Sequence, residues 1–349
     1  MMFEWQRYNA KVDINIFKRI LTQCLDVKGE KVMIIGDYGI QNRILAPILT
    51  NSYALAAREM DLNYSVVLQH SKARGDFADE VLIAALKKLP KRSTIILNVS
   101  NRIGKLGSLG LSFRKFCYKN QHKFITSSSL GALSNYDVKT VLKVLNVDYN
   151  KMHQRGERIK RALDSAREVN IRTKAGTDLT LNIAGVKAIV NSGIYNKFGT
   201  GGNIPAGETY IHPVLDKIEG KLVIDGSLRL RDRTLKVRNP VTVKVEKGEM
   251  TNISSNYEGN LFKKTLEWAH RTAKKPQTIR KIAELGIGIN PNAKILGATV
   301  IDEKTQGTIH IANGSNAWFG GEVRSIIHLD HVVRDAILRV DGRMLRINH

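Results

Sequence analysis

Two histidines and an aspartate lie close together in the segment EVRSIIHLDHVV (residues 322–333), whose other residues are typical of a strand. Side chains two positions apart in an extended strand point to the same face. His328 and Asp330 therefore share one face, and His331 points with Leu329 to the other. A neutral imidazole and a carboxylate at this spacing can bind one divalent metal ion, and the alternative is a hydrogen-bonded His–Asp pair in the core.

Further histidine and acidic residues occur in apolar segments of the same C-terminal region. His310 lies inside GTIHIANG, Glu284 opens ELGIGINP, and Glu208 lies in GNIPAGETYIHP. Asp302 and Glu303, in VIDEKTQG, are predicted to lie at a strand end. Buried charges are costly unless they are paired or bound to a metal, so this set indicates a shared counter-charge. A dinuclear metal site would supply it, with bridging carboxylates, terminal histidines and a bound water acidified to hydroxide.

The segments GNIPAGE, ELGIGINP, DEK…GTIHIANG and HLD resemble, in their order and spacing, the aminopeptidase T family of thermophilic metallopeptidases. The resemblance is clearest over residues 170–349. It implies two divalent ions (zinc, cobalt or manganese), a homodimer, and the release of N-terminal residues from peptide substrates. Carried over position by position, it implies the metal ligands Glu208, Glu284, Glu303, His310, His328 and Asp330.

Two of these glutamates are also candidates for proton transfer during peptide hydrolysis. Either Glu284 or Glu303 would carry a proton to the leaving amine, and the sequence leaves the choice open. His212 and His331 lie close to the motifs in sequence. We interpret both as structural or supporting residues rather than metal ligands.

One position departs from the family pattern. The tyrosine that the family has seven residues after the first metal histidine is replaced by Ala317, followed by Trp318 and Phe319. The segment GSNAWFGG is more similar to divergent members of the superfamily, among them a ring-cleaving dihydroxypyridine dioxygenase that uses one iron, two histidines and one carboxylate. That enzyme is the alternative. Because Glu208 and Glu284 are both retained, we expect two metals and an aminopeptidase-like hydrolase.

The elements that must position these residues change in character along the chain. Residues 31–130 alternate near-continuous apolar strands with helical segments, which is typical of a parallel sheet covered on both faces. Beyond residue 167 short alternating strands dominate, with one helical insert, residues 260–290, broken around Pro276. We predict an α/β (Rossmann-like) domain with a mostly parallel sheet over residues 1–166. A β-rich α+β metal-binding domain follows over residues 167–349.

The charge of the chain is strongly basic, with 55 Lys and Arg against 32 Asp and Glu and a net charge of +23. Residues 81–136 contain no acidic residue and ten basic ones. Such a field attracts polyanions, so nucleic-acid binding through Lys87, Lys88, Lys91 and Arg92 is a further hypothesis. The same field could draw acidic peptides toward the site, or be a functionally silent basic surface.

The remaining composition indicates an ordinary globular protein. Its apolar content of 42% can support a sizeable core. No leader sequence and no run of about 18 apolar residues is evident, so we expect a soluble, cytoplasmic protein without membrane contact. Cys24 and Cys117 have no metal-binding spacing, and we expect two free thiols.

Overall fold

The computed structural model describes residues 12–41, 43–110 and 112–347. These residues form two compact units. Unit 1 consists of the chain up to Asn150 together with Gly193–Ala206, and unit 2 consists of Lys151–Ser192 together with the residues from Gly207 onward. The domain boundary near residue 166 stays a prediction. The two compact units divide earlier in the chain, after Asn150, and the later segment Gly193–Ala206 also belongs to unit 1.

Unit 1 is built on a five-stranded parallel sheet with the order β2-β1-β3-β4-β8. The central strands are buried along their whole length, as expected for a parallel sheet. The predicted parallel α/β architecture of this part of the chain is therefore confirmed. The strands are β1 (Val32–Asp37), β2 (Tyr64–Gln69), β3 (Thr94–Asn98), β4 (Lys123–Ser127) and, from the returning segment, β8 (Gly201–Asn203).

The helices of unit 1 bury apolar faces of the kind that their sequence spacing predicts. In the segment EVLIAALKK, Leu82 and Leu86 are four residues apart and both are buried. They join a core cluster that includes Ile95 and Phe124. The helices are α1 (Ile14–Arg19), α2 (Leu45–Glu59), α3 (Glu80–Lys88), α4 (Phe113–Lys119) and α5 (Val138–Leu145), with a π-helical turn at Ile20–Cys24 and 3₁₀ turns at Gly107–Leu109, Leu130–Ala132 and Asn135–Asp137.

Both cysteines are free thiols buried in unit 1, which confirms the prediction from their spacing. Helix α6 (Tyr149–Asp164) leads from unit 1 into unit 2. Within the described part of the chain, every helix is too short or too polar to span a lipid bilayer.

The first sheet of unit 2 is antiparallel, with the order β14-β13-β10-β6-β5-β18-β19. Its strands alternate buried and exposed residues, which is the pattern of a sheet with one face on the core. The strands are β5 (Glu168–Arg172), β6 (Asp178–Asn182), β10 (Ile218–Ile224), β13 (Val241–Glu246), β14 (Glu249–Ile253), β18 (Ile337–Val340) and β19 (Arg343–Leu345).

The second sheet of unit 2, which we call the site sheet, is also antiparallel and has the order β12-β11-β17-β16-β15-β9-β7. Strands β15 and β16 lie at its centre, and every residue in them is buried. The strands are β7 (Ile189–Asn191), β9 (Glu208–Ile211), β11 (Ser227–Arg229), β12 (Thr234–Lys236), β15 (Ile282–Gly288), β16 (Ile309–Gly314) and β17 (His328–Val333).

Two local predictions for unit 2 are wrong. The predicted helical insert forms helix α7 (Tyr257–Thr272) and a 3₁₀ turn at Pro276–Thr278, but its last part is strand β15. Hydrogen-bonded strands on both sides, β9 and β16, stabilise that extended conformation in a glycine-containing segment. The strand end predicted at Asp302 and Glu303 is instead a short helix, α8 (Thr299–Asp302), with Glu303 as its C-terminal capping residue.

Candidate metal centre

Neighbouring strands of the site sheet bring the predicted ligands together. Ala312 on β16 pairs with Glu284 on β15 and with Asp330 on β17. Directly paired residues in a sheet point to the same face, as do residues two apart in one strand. His310 therefore lies on the face that also carries both carboxylates. Opposite His310 is Gly286, and a Cβ added there would lie 1.9 Å from the His310 Nε2, so the glycine leaves room for the imidazole.

The side chains converge at short range. Glu284 lies between the two imidazoles, with one oxygen 3.3 Å from His310 Nε2 and the other 3.5 Å from His328 Nε2. Asp330 Oδ1 is 3.0 Å from His328 Nε2. Glu208 Oε2 is 3.6 Å from His310 Nε2. Ligand atoms of two triplets, Glu208–Glu284–His310 and Glu284–His328–Asp330, lie within 4.8 Å of one another.

This donor set fits a divalent metal ion. Imidazole nitrogens and carboxylate oxygens are the ligands that iron, zinc and manganese accept in proteins. His328 Nδ1 lies 2.8 Å from the carbonyl oxygen of Ser315, so it donates there and its Nε2 can present a lone pair to a metal. The Nδ1 of His310 is buried and has no hydrogen-bond partner among the described residues. Several carboxylates buried side by side also require a compensating positive charge.

Part of that charge comes from Lys304, a residue that the sequence motifs do not indicate. Its side chain is 1% exposed, and its Nζ lies 2.5 Å from Glu208 Oε1 and 2.6 Å from Glu303 Oε1. Asn191 donates a further hydrogen bond of 2.9 Å to Glu208. The only sequence signal for this ion pair is the position of Lys304 directly after Glu303, in a segment expected to contribute metal ligands.

Five of the six predicted ligands therefore belong to the two triplets. The sixth, Glu303, contacts Lys304 and lies in neither triplet. The structure thus brings the predicted residues into one cluster but pairs Glu303 with a cation of the chain itself. Metal binding by each residue stays a prediction.

The ionisation of the cluster reflects its burial and its close charges. Burial acts to lower the pKa of His310, but the hydrogen bond to Glu284 and the nearby carboxylates outweigh it and raise the pKa to about 9. In the same way, Asp330 outweighs burial and raises the pKa of His328 to about 10. Burial acts to raise the pKa of Asp330, yet the His328 charge holds it well below its usual range. In the metal-free protein, protons on both imidazoles thus balance the carboxylates.

Burial has the opposite consequence for two glutamates. It raises the pKa of Glu303 to about 8, even though Lys304 acts in the other direction. Burial also raises the pKa of Glu284, against the hydrogen bond from His310. Both carboxyl groups therefore keep a proton up to a higher pH than an exposed glutamate does.

The remaining histidines near the motifs have other surroundings. His331 points away from the cluster, with its Nε2 2.9 Å from Asn313 Oδ1 and its ring 4.6 Å from that of Phe262. Burial lowers the pKa of His331 to about 3, so this imidazole is neutral. His212 Nδ1 lies 3.3 Å from the carbonyl oxygen of Pro213. Neither histidine belongs to a ligand triplet.

An aromatic group, which we call the aromatic collar, borders the cluster. Trp318 lies in the 3₁₀ turn Ala317–Phe319, is 60% exposed, and has its ring 4.6 Å from that of His328 in an edge-to-face arrangement. Phe319 contacts Trp318 on one side and Tyr210 on the other, each with ring centroids 5.2 Å apart. Trp318 and Phe319 of the collar lie in the segment in which the sequence lacks the peptidase tyrosine, and Tyr210 joins them from strand β9.

The residues of the nucleic-acid hypothesis lie in unit 1. Lys87 and Lys88 end helix α3, and Lys91 and Arg92 lie in the turn before β3. All four are exposed, and the Arg92 guanidinium is 4.4 Å from the centre of the Phe198 ring. Nucleic-acid binding through these residues stays a prediction. The homodimer also stays a prediction.

The fold and the two-histidine, carboxylate-rich cluster are those expected of a metal-binding enzyme. A family model described as 2,5-dihydroxypyridine 5,6-dioxygenase (NicX) matches residues 13–347. The chain therefore belongs to the 2,5-dihydroxypyridine 5,6-dioxygenase family.

Individual relatives agree with this assignment. The chain is 25% identical over 191 residues to a 2,5-dihydroxypyridine 5,6-dioxygenase from Pseudomonas putida, a match covering 52% of this chain and 53% of that protein. It thus spans about half the length of this curated relative. A solved 2,5-dihydroxypyridine dioxygenase structure from Pseudomonas putida shares the fold, with a TM-score of 0.71, 18% identity, and coverage of 96% of this chain and 95% of that one.

The fold is also that of AmpT from Thermus thermophilus, with a TM-score of 0.64, 12% identity, and coverage of 95% of this chain and 98% of that one. The resemblance to aminopeptidase T is confirmed at the level of the fold alone. The expected aminopeptidase function, and with it the assignment as a metallopeptidase, protease or hydrolase, is wrong because the family is one of dioxygenases. The cluster supports a metal, but neither two ions nor zinc, cobalt or manganese in particular.

Proposed function

We propose that this protein is a ring-cleaving dioxygenase that uses one ferrous ion and acts on a dihydroxylated nitrogen heteroaromatic ring, such as 2,5-dihydroxypyridine. The observation that carries the proposal is the convergence of two imidazoles and two carboxylates, at 3.0 to 3.5 Å, in a chain of this family. In the reaction, one ring carbon–carbon bond breaks and both atoms of molecular oxygen enter the ring-opened product. No external reductant is therefore consumed.

His310, His328 and Asp330 would hold the ion, because two histidines and one carboxylate form the facial set of non-haem iron oxygenases. Glu284 is a further candidate ligand, since it lies within 3.5 Å of both imidazoles. When bound, a ferrous ion would supply the redox chemistry by which molecular oxygen adds to an electron-rich aromatic ring.

Lys304 supports one ion rather than two. A second ion would need the carboxylates of Glu208 and Glu303, and the ammonium group of Lys304 is paired with both. Burial acts to lower the pKa of Lys304, but the carboxylates of Glu208 and Glu303 outweigh it and raise the pKa well above its usual range, so the side chain stays charged. A second divalent cation at these oxygens would experience repulsion from a fixed charge at hydrogen-bond distance.

The chain's own residues can bind the substrate ring and take up its proton. The exposed indole of Trp318 offers a flat apolar surface beside His328, where an aromatic ring can pack in offset or edge-to-face geometry. A substrate hydroxyl that becomes an anion must release its proton. Glu284 or Glu303, whose pKa values are raised by burial, would accept it on a carboxylate oxygen.

The test is oxygen consumption by the iron-loaded full-length chain. Protein reconstituted anaerobically with ferrous iron should bind about one iron per chain and consume one oxygen molecule per molecule of 2,5-dihydroxypyridine. His310→Ala should lose both iron and activity. His270→Ala is the matched control, because His270 is an exposed helix residue outside both ligand triplets.

Substrate controls separate the proposed chemistry from alternatives. Aminoacyl anilides should not be hydrolysed, and 2,5-dihydroxybenzoate tests whether the ring nitrogen is required. An iron-loaded protein that consumes no oxygen with any dihydroxypyridine or dihydroxybenzene would refute the proposal. Equal iron content in the wild type and in His310→Ala would refute the assigned ligand.

A further inference from the structure

A second concave site lies in unit 1, at the carboxyl ends of strands β3 and β4. The loops that follow β2 and β3 help to enclose a cavity of about 480 Å³. In open parallel sheets, ligands bind at this edge near the point where the strand order reverses. Here the order β2-β1-β3 reverses between β1 and β3, and the cavity borders the end of β3. Its volume is in the range of small-molecule sites.

Positive charge dominates the lining of this cavity. Arg74, Arg102, Lys105 and Arg114 line it, against the single carboxylate of Asp76. That carboxylate accepts a hydrogen bond of 2.7 Å from the backbone nitrogen of Ala73, so it holds the turn that carries Arg74. Among the described residues, no ion pair is formed by Arg74 or Arg102. Four cations thus converge on one concave surface with little internal compensation.

The rest of the lining suits an organic molecule rather than a bare ion. The partly exposed Ile103 contributes apolar surface beside the largely buried Leu97 and Phe113. Thr126 and Ser128 add hydroxyl groups. A ligand with a flat apolar part and a doubly charged head would use both kinds of surface, and arginine recognises phosphate oxygens through paired hydrogen bonds.

The position of the cavity also separates it from the exposed basic residues of the nucleic-acid hypothesis. Lys87 and Lys88 end the helix that precedes β3, so they lie toward the amino ends of the strands. The cavity lies at the opposite edge of the same sheet. Its four cations line one concave surface, which favours a compact anion over an extended polymer.

We propose that this cavity binds a phosphorylated small molecule of about mononucleotide size. The arginine side chains hold the phosphate and the apolar residues cover the organic part. The site is independent of the proposed oxygenase chemistry, so it can be tested whether or not that function is correct.

The experiment is calorimetric titration of the full chain at low ionic strength with adenosine 5′-monophosphate as the probe. One molecule should bind per chain, inorganic phosphate should compete, and unphosphorylated adenosine should bind at least about tenfold more weakly. The double variant Arg74→Gln/Arg102→Gln should reduce the affinity about tenfold or more. Both side chains are exposed, so folding should be preserved.

The double variant Lys87→Gln/Lys88→Gln is the matched control, because it removes the same charge at the other edge of the sheet and should leave the affinity unchanged. Equal losses in the two double variants would show a diffuse charge effect and overturn the proposal. Absence of saturable nucleotide binding would overturn it as well.

Discussion

Under the proposed function, Lys304 distinguishes a centre with one metal ion from the dinuclear centre expected from sequence. Its ammonium group contacts Glu208 and Glu303, two of the carboxylates on which a second ion would depend. A protein cation has a fixed place and cannot dissociate, whereas a second metal ion could. One buried lysine can therefore set the number of metal ions without altering any metal ligand.

Replacing this lysine should change the metal content of the centre. In Lys304→Met, we expect the bound divalent ions to rise from about one toward two per chain at saturating metal. The metal-free variant should be less stable than the wild type by about 3–5 kcal/mol, because breaking a buried ion pair leaves uncompensated charge. Elemental analysis after desalting measures the content, and thermal unfolding with and without metal measures the stability.

Lys294→Met provides the control for this prediction, since Lys294 is exposed in the same unit. It should alter neither quantity. If Lys304→Met folds and still binds a single ion, the ammonium group does not set the metal number.

Trp318 should contribute to substrate binding rather than to metal binding. Its ring lies 4.6 Å from that of His328 and is 60% exposed, so it is available to a second aromatic ring. Trp318→Ala should raise KM for the dihydroxylated substrate about 2–10-fold, since an aromatic pair contributes about 0.5–1.5 kcal/mol. Trp318→Phe should restore most of the loss. An unchanged KM, or an equal loss of iron, would contradict this role.

The predictability of the site differs from residue to residue. His328 and Asp330 could be found because the two-residue period of a strand places them on one face. Lys304 could not, because its partner Glu208 is remote in sequence and the contact depends on the completed sheet. The aminopeptidase function expected from sequence is wrong for a different reason, because one fold with similar ligand sets can support different chemistry.

At the scale of elements, the close approach of β15 and β16 determines where His310 lies. Gly286 is paired with it, and the absence of a side chain there admits the imidazole ring. Gly286→Ala would place a Cβ 1.9 Å from Nε2, so the ring must leave its present position beside Glu284. We expect iron affinity to fall at least about tenfold while the fold is retained.

Iron titration monitored with circular dichroism distinguishes these effects, and His310→Ala serves as the reference for complete loss of the ligand. A Gly286→Ala protein with native circular dichroism and wild-type iron affinity would show that the ring has space elsewhere. A protein that fails to fold would instead show that the substitution disrupts the pairing of the sheet itself.

Elements with strong local patterns were predictable, and elements defined by distant partners were not. The apolar runs of β1 and β3 and the spacing of helix α2 indicated their structure directly. The sequence predicts a helix where strand β15 forms, because the hydrogen bonds that stabilise the strand come from the distant strands β9 and β16. Strand β8 joins the parallel sheet from a segment far along the chain, beside β4. No local pattern reports such a pairing.

At the scale of the whole molecule, metal binding should be coupled to global stability through the protonation of the cluster. The pKa values of about 9 for His310 and about 10 for His328 are above the value of a free histidine, so protonation stabilises the metal-free fold. This contribution is complete below about pH 6.5 and is lost as the pH rises through 9 and 10. The metal-free protein should therefore become less stable over this range on account of these groups.

Metal binding has the opposite pH dependence, because each bound imidazole must first release its proton. Affinity should rise between about pH 7 and 9, by up to about a hundredfold per pH unit if both protons are displaced, and level off above about pH 10. A ligand stabilises the folded state by RT ln(1 + [L]/Kd), so the melting temperatures of metal-loaded and chelator-treated protein should separate as the pH increases. Zinc in a chelator buffer is a redox-inert probe for this comparison. His328→Gln should reduce the pH dependence of this difference in melting temperature. A difference that stays constant from pH 6.5 to 9 would contradict the prediction, because it would show that the imidazoles are already neutral in the metal-free protein.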